Sequence, residues 1–296
     1  MKPLAVQNLA CPLDGEPLLL KDKQLICHNG HTFDIARQGY INLLPVQYKR
    51  SKEPGDSKEM VLARSQFLDS GVYEPIAKYI STLLLSQIDE TDSAYILDAG
   101  CGEGYYLNYA YKQLTESENG KEISLIGLDV SKPAIIEAAK RNKSIIWLVG
   151  TNRQPPVIEK SIDVIVCVFG FPNLEGFDKV LKPGGKVILV EPGQNHLLEL
   201  RDVIYKETKV PKMDDTSSFK SSMFSLRNSY DLKFTISITD KAMIHNLLLM
   251  TPHFYRANKS GREAGLSLES LDLTIDVKFQ VFVKEKLPAD EGDSDI

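Results

Sequence analysis

No stretch of this chain approaches the roughly 20 consecutive apolar residues that a membrane-crossing helix needs. Residues 1–10 also lack the charged-then-apolar layout of a secretory leader. A cytoplasmic protein with no membrane partner is the expectation. Cysteine is scarce: of four residues, Cys101 falls in a glycine-rich turn and Cys167 in an apolar run, leaving Cys11 and Cys27 as the one sequence-local pair. That distribution argues against a disulfide framework. Positive charge is in deficit as well, with 35 Lys and Arg against 40 Asp and Glu and a net charge of −5. The protein is not basic all over, and a nucleic-acid partner would need a local basic patch. Part of the deficit lies in Asp290-Glu291-Gly292-Asp293-Ser294-Asp295, a polar tail expected to be disordered. The remaining composition, 43% hydrophobic and 25% charged over 296 residues, suits one large domain with an appendage or two ordinary domains.

What is present centres on Tyr95-Ile96-Leu97-Asp98-Ala99-Gly100-Cys101-Gly102-Glu103-Gly104-Tyr105-Tyr106. This is a short apolar run that ends in an acid and three alternating glycines: a buried strand, a tight turn and the first turn of a helix. Glycines there let backbone N–H groups approach a ligand lying across the carboxyl end of the strand. A dinucleotide loop reads G-x-G-x-x-G, whereas this one reads D-x-G-x-G-x-G. Asp98 is unwelcome beside a diphosphate but suits an ammonium group. The pattern resembles the first motif of class I S-adenosylmethionine-dependent methyltransferases. Downstream, Ser124-Leu125-Ile126-Gly127-Leu128-Asp129 is a second apolar strand ending in an acid. Asp129 falls slightly beyond the roughly 20-residue spacing of a ribose-binding carboxylate, because the polar stretch 115–121 lengthens the connection.

After Asp129, residues 133–142 read as a helix with proline in its first turn. Residues 144–149, 162–168 and 186–191 read as strands, with a turn at 181–185. The alternation predicts an α/β, doubly wound, Rossmann-like sheet whose strands all present their carboxyl ends on the cofactor side. Phe169 and Phe171 follow the fourth strand, and Glu191 ends the fifth. Asp163 lies at the wrong end of its strand for chemistry there. Tyr73, at the start of a helix over 73–87, is either a packed aromatic or leans over the crevice. His196, in Gly193-Gln194-Asn195-His196-Leu197, is either a surface or capping residue or a crevice residue. Residues 206–229 read as a polar, basic insertion carrying Lys206, Lys209, Lys212, Lys220 and Arg227. The strands at 232–238 and 271–283 complete the sheet around a helix at 240–250.

At the N-terminus, Cys11-Pro12-Leu13-Asp14 and Cys27-His28-Asn29-Gly30-His31 look like two halves of a small metal module, with Asp14 where a second cysteine would complete the first knuckle. His28 offers an alternative fourth ligand. The competing reading is an apolar β-module in which Cys27 is a core residue. The link Tyr48-Lys49-Arg50-Ser51-Lys52-Glu53-Pro54-Gly55-Asp56 is basic and turn-rich. Its cations either meet phosphates or are simply solvated.

Taken together, the chain resembles the large-subunit ribosomal RNA guanine-N1 methyltransferases, bacterial enzymes that modify a hairpin-loop guanine of 23S rRNA. The likeness is carried by Gly39-Tyr40-Ile41-Asn42-Leu43-Leu44-Pro45-Val46-Gln47, Pro54-Gly55-Asp56-Ser57, Phe67-Leu68-Asp69-Ser70-Gly71, Cys101-Gly102-Glu103-Gly104-Tyr105-Tyr106, Gly127-Leu128-Asp129-Val130-Ser131-Lys132, Pro192-Gly193-Gln194-Asn195-His196-Leu197 and Met250-Thr251-Pro252. The resemblance implies a class I methyltransferase sheet with a zinc-ribbon-like, RNA-binding β-module at 1–45, a basic linker at 46–58, the methyltransferase domain at 59–285 and an acidic tail at 286–296. It also implies S-adenosyl-L-methionine as cofactor, with Tyr73, Gly102, Glu103 and His196 joining Asp98, Gly100 and Asp129 around it. Zinc would be held by Cys11, Asp14, Cys27 and His31. The implied partners are a 23S rRNA hairpin and a second copy of the chain. Two departures stand out: Asp14 replaces a thiolate ligand, and Phe169-Gly170-Phe171-Pro172 replaces a Tyr-Ala-Pro-like segment. Phe169 and Phe171 are candidates to stack the target base, and Glu191 is a candidate proton acceptor. The rival readings are a small-molecule methyltransferase and a non-catalytic RNA-binding relative.

Overall fold

The computed structural model describes residues 8–49, 51–88, 93–116, 122–205 and 223–285. Arg50, Lys206, Lys209, Lys212, Lys220 and the acidic tail lie outside them. The N-terminal module is a three-stranded antiparallel sheet of β1 (Leu19–Lys21), β2 (Gln24–Ile26) and β3 (Thr32–Asp34). It is followed by β4 (Ile41–Asn42), which runs parallel to β7 (Ile146–Val149) at the margin of the main sheet. Leu43 N–H continues this pairing to the Val149 carbonyl at 2.9 Å, and Ala10 N–H donates to the Pro156 carbonyl at 3.0 Å. Leu9, Leu25 and Ile41 are fully buried in the same apolar cluster as Leu148 and Val157. The module is therefore joined to the sheet through its backbone before the linker begins.

The rest of the chain alternates as expected from the apolar runs: α1 (Lys58–Asp69), α2 (Glu74–Gln87), β5 (Ser93–Ala99), α3 (Tyr105–Glu116), β6 (Glu122–Asp129), α4 (Lys132–Arg141), β7, β8 (Ile162–Val168), α5 (Leu174–Val180) and β9 (Leu181–Pro192). Side-chain caps start several helices: Ser57 accepts from Met60 N–H, Ser131 from Ala134 N–H and Asn173 from Gly176 N–H. After α6 (Leu198–Ile204) come β10 (Phe224–Ile238), α7 (Lys241–Met250), capped by Asp240, α8 (Pro252–Arg256), α9 (Lys259–Leu266) and β11 (Leu271–Lys284). Strand order in the eight-stranded sheet is β10-β11-β9-β8-β5-β6-β7-β4. From β5 the chain progresses through β6 and β7 to one side and through β8 and β9 to the other. The topological switch, and with it the ligand crevice, thus falls at the carboxyl end of β5.

Three expectations need correction. The turn at 181–185 is a bulge inside β9: Ile162 pairs with Leu181 and Val164 with Lys186, so β9 takes five steps where β8 takes two, and Gly184 at φ +79° absorbs the kink. The polar segment 224–229, read as part of an insertion, is the first half of β10, paired from Phe224–Lys284 to Ser229–Gln280. A neighbouring backbone recruits such a strand whether or not its own side chains alternate. β11 runs antiparallel to β9, so the sheet is mixed and not every strand presents its carboxyl end on the cofactor side.

Beneath the crevice sits Trp147, the only tryptophan, 1% exposed, its Nε1–H bonded to the Asn142 carbonyl at 2.6 Å. Its ring occupies the space left by two missing side chains. A Cβ on Gly127 would lie 2.3 Å from Trp147 Cζ3, and one on Gly104 would lie 2.6 Å from Cη2. Gly127→Ala should therefore cost about 1–3 kcal/mol of stability through overpacking. Urea unfolding followed by Trp147 fluorescence measures this, and an unchanged midpoint would show that the ring can move aside freely.

Candidate active site

Three glycines of the β5–α3 loop lie in the left-handed region, Gly100 at φ +95°, Gly102 at +55° and Gly104 at +80°, where an L side chain is strained. Gly100 and Cys101 N–H both donate to the Leu128 carbonyl, at 2.7 and 3.0 Å, which fastens the loop to the end of β6. Asp129 completes the fastening: Oδ2 accepts from Gly102 N–H at 3.0 Å and Oδ1 from Ser131 N–H at 2.7 Å. Each oxygen keeps a further acceptor direction. Asp129 is thus a structural strap as well as a group at the crevice.

Three acids collect at this point. Asp98 and Glu103 are each 2% exposed, and Asp98 Oδ1 and Glu103 Oε1 have no hydrogen-bond partner among the described residues. Burial, reinforced by the charges of Asp129 and Glu103, pushes Asp98 up to about 8. Burial likewise raises Asp129 and Glu103, the latter opposed by Arg64. Buried acceptors without donors call for a ligand that brings cationic or hydroxyl groups. The amine, sulfonium and ribose hydroxyls of S-adenosylmethionine meet that requirement.

An aromatic row borders the acids. Tyr73, 3% exposed, packs edge-on against Phe67 with ring centroids 5.3 Å apart, and its hydroxyl lies 3.4 Å from His196 Nε2. His196 Nδ1 accepts from Asp276 N–H at 3.3 Å, so the ring proton belongs on Nε2, facing Tyr73. Burial lowers His196 to about 4, which leaves it neutral in the ordinary range. On its other side lies Phe169, centroid distance 5.7 Å, which in turn meets Tyr106 at 6.4 Å. Phe169 sits at φ +50°, a strained position for a bulky residue, held by its N–H to the Val190 carbonyl at 2.9 Å. Tyr73 and His196 thus stand side by side in one aromatic row. Phe171 does not join the row. It is 83% exposed, beyond the rim. Glu191 is half-buried at the carboxyl end of β9, where its charge and that of Asp98 both act on the buried Cys167 thiol. Asp163 is far from all of these, accepting from Tyr95 N–H and Lys182 Nζ at the opposite end of the strands.

In the N-terminal module, Gly15 and Gly30, at φ +80° and +83°, close two turns with N–H bonds to the Cys11 and Cys27 carbonyls. These turns bring the side chains of Cys11, Asp14, Cys27 and His31 together, their ligand atoms all within 4.8 Å of one another. His31 Nδ1 lies 3.5 Å from Cys11 Sγ, 3.4 Å from Cys27 Sγ and 2.9 Å from Asp14 Oδ2. The edges of a tetrahedral zinc site made by thiolate, imidazole and carboxylate ligands are roughly 3.4–3.8 Å, and the separations of both thiols from the His31 ring already match them. Asp14 is the tight corner, since Oδ2 also accepts from Asn29 Nδ2 at 3.0 Å, the chief reason its carboxyl is held below the usual range. His28 is exposed and outside the cluster, which removes it as an alternative ligand.

Residues 9–52 match the zinc-ribbon family described as RlmA, N-terminal, and residues 96–185 match the family described as Methyltransferase domain. YxjB of Bacillus subtilis (strain 168), assigned by its name to the 23S rRNA (guanine-N1)-methyltransferases, is 30% identical over 282 residues, which span 93% of this chain and 96% of that one. The chain belongs to the 23S rRNA (guanine-N1)-methyltransferase family. The 23S rRNA (guanine(748)-N(1))-methyltransferase of Streptomyces fradiae is 33% identical over 205 residues, covering 69% of this chain and 70% of its own. A relative from Micromonospora griseorubida is 33% identical over 219 residues, covering 68% and 71%. This member of the family is an S-adenosylmethionine-dependent methyltransferase with an N-terminal zinc ribbon. No helix among its described residues is long and apolar enough to cross a membrane.

Several residues that shape the site carried no sequence signal. Asp276 on β11 organises the 193–197 turn, accepting from Asn195 N–H at 3.0 Å, and a Cβ on Gly193 would collide with its carboxylate at 2.4 Å. Buried Arg201 holds the same turn through the Gln194 and His196 carbonyls. Arg64 reaches from α1 to the glycine loop.

Two outcomes follow from this geometry. The folded state holds the Asp98 proton more tightly than the unfolded chain, so that contribution to stability is complete below the ordinary pKa of 3.8 and is lost as pH rises through about 8. Asp98→Asn cannot ionise. The ligand-free variant should gain about 1 kcal/mol or more over wild type at about pH 8 and much less at about pH 5. Urea unfolding at both pH values tests this, and an equal difference at the two would reject the assignment. In the ribbon, Asp14→Cys supplies a softer ligand and should retain zinc against a chelator longer than the native protein. Elemental analysis after dialysis reads this directly, and equal retention would mean the carboxylate does not weaken the site.

Proposed function

We propose that this protein transfers the methyl group of S-adenosylmethionine to N1 of a guanine in a hairpin loop of 23S ribosomal RNA. The observation that carries the reading is an acid-lined crevice with an aromatic wall in the same chain as a docked zinc ribbon, in a member of the family to which the named relatives belong. Gly100 and Gly102 give the cofactor backbone approach, Asp129 accepts from the ribose hydroxyls, and Asp98 and Glu103 face its cationic end. Tyr73 and His196 form the wall beside it. When bound, the cofactor supplies an electrophilic methyl group on sulfur.

The remaining work belongs to the target base. Phe169 is assigned to stacking on the guanine, its strained backbone presenting the ring toward the cofactor, and Phe171 to the rim, where it can meet a neighbouring base. N1 of neutral guanine carries a proton that must leave as the methyl arrives. Glu191 is the proposed acceptor. His196 is unsuited to that task, since its Nδ1 lone pair is taken by Asp276 N–H and Nε2 already holds a proton. Holding base and methyl at near-attack distance supplies much of the acceleration. The ribbon, residues 1–45, and the linker, residues 46–58 with Lys49, Arg50 and Lys52, are the proposed RNA grip on the methyltransferase domain at 59–285. Zinc on Cys11, Asp14, Cys27 and His31 would stiffen that grip. A homodimer working in the cytoplasm completes the proposal.

Incubation with methyl-labelled cofactor and total RNA from cells lacking the modification should place label in one 23S rRNA hairpin, with binding that weakens as salt rises. Label confined to small metabolites, or absent altogether, would reject the RNA assignment. Asp129→Ala should weaken cofactor binding at least about tenfold in calorimetry. It should also lower stability by about 1–3 kcal/mol, since Gly102 and Ser131 N–H lose their acceptor. Unchanged affinity would remove Asp129 from the site.

A further inference from the structure

Ribbon and crevice rim meet in one turn. After β7 the chain reverses over residues 151–154: Gln154 N–H donates to the Thr151 carbonyl at 3.2 Å, and Arg153 N–H donates to Thr151 Oγ1 at 3.3 Å. Pro155 and Pro156 follow, both buried, their φ angles fixed by the ring. Toward the ribbon, the turn leads into the Ala10–Pro156 hydrogen bond and the pairing of Leu9 with Val157. Toward the crevice, Asn152 Nδ2 donates to the Phe171 carbonyl at 3.2 Å. The same Nδ2 stands 3.9 Å from where a Gly100 Cβ would be, as does Gly170 Cα, so turn, rim and cofactor loop converge there. The Asn152 and Arg153 carbonyls also rest against Gly176 of α5, where a Cβ would lie 2.1 and 3.0 Å from them. Pinned to the ribbon, the rim and α5, this turn has little freedom to move.

Two side chains on this mount are not used by the fold. Arg153 is exposed, and among the described residues its guanidinium has neither an ion pair nor a hydrogen bond. Phe171, tied to the turn through its carbonyl, points its ring into solvent. A strand of RNA that delivers a base to this crevice brings phosphates toward three acids, and a free cation at the rim offsets that repulsion. Guanidinium suits the task because its planar fork matches phosphate oxygens. An exposed ring on the same support suits an unpaired base. Resting on the RNA assignment above, we propose that the 151–154 turn and Phe171 form a subsite for the nucleotide next to the target guanine, with Arg153 on its phosphate and Phe171 stacked on its base. Asn152 is the positioning residue that holds Phe171 in place. The neighbouring nucleotide must be single-stranded, since a paired base keeps its faces stacked within a helix.

The test is binding of unmodified 23S rRNA, transcribed in vitro, to the full chain over a series of salt concentrations, with transfer RNA as competitor. Arg153→Gln should weaken binding about threefold to tenfold and flatten the slope of log affinity against log salt by about 0.7, the share of one single-strand phosphate. Its affinity for S-adenosylhomocysteine in calorimetry should stay within about twofold of wild type, and Arg153→Lys should keep the wild-type slope. Phe171→Leu should weaken RNA binding about tenfold without changing the slope, whereas Phe171→Tyr should retain most of the affinity. Asn152→Ala should reproduce part of the Phe171→Leu loss and add less than about twofold in a Phe171→Leu background, as expected when one residue acts through another. Lys160→Gln removes an exposed cation just before β8, at the strand end away from the crevice, and should leave the slope alone. Unchanged affinity and slope for Arg153→Gln, an equal flattening by Lys160→Gln, or a full Asn152→Ala loss in the Phe171→Leu background would each overturn the proposal. Wild-type protein that binds S-adenosylhomocysteine but not 23S rRNA would instead overturn the RNA assignment, and the subsite with it.

Discussion

Three neighbouring carboxylates are the constraint around which this domain is arranged: Asp98 and Glu103, each buried with an unpartnered oxygen, and Asp129, held by two backbone N–H groups. Like charges so placed repel one another and lose hydration. The chain offsets this with backbone N–H groups on Asp129, with arginines reaching in from α1 and α4, and with burial that lets Asp98 stay protonated. The arrangement is costly only while the crevice holds no cation. A ligand that brings positive charge and hydroxyls relieves the repulsion and fills the orphaned acceptors, so part of its affinity is stored in the ligand-free fold.

The same economy governs the glycines. Positive φ at Gly100, Gly102 and Gly104 turns the loop so that its N–H groups reach β6 and Asp129, and the absent side chains at Gly104 and Gly127 make room for Trp147. Loop and floor are thus one packed unit. The aromatic wall has a different foundation: Asp276 and Arg201 build the turn carrying His196, and the neutral ring spans from Tyr73 to Phe169 as a hydrogen-bonded, largely apolar surface.

Much of this was legible in the sequence because it is local. The apolar run ending in Asp98, the alternating glycines, the second run ending in Asp129 and the two knuckles each announce their own conformation within a dozen residues. What was not legible depends on pairing across the chain. Ile41 and Asn42 look like any short apolar segment until β7 offers an open edge, and residues 224–229 look like a polar insertion until β11 recruits them. Arg64 is one of two cations, with Lys58, on an exposed-looking helix. Only the folded chain brings Asp56, Met250 and Gly102 to it. The knuckle spacing drew in His28, one residue from a ligand, which the direction of the turn sends into solvent.

The backbone pairing of β4 with β7 has a mechanical consequence. A ribbon on a free tether would sample many orientations, but moving this one means breaking the Leu43–Val149 and Ala10–Pro156 hydrogen bonds and exposing Leu9 and Ile41 to water. Ribbon and crevice therefore behave as the two jaws of a fixed gauge. Anything that meets both jaws must match the one distance and rotation that this backbone pairing sets between them.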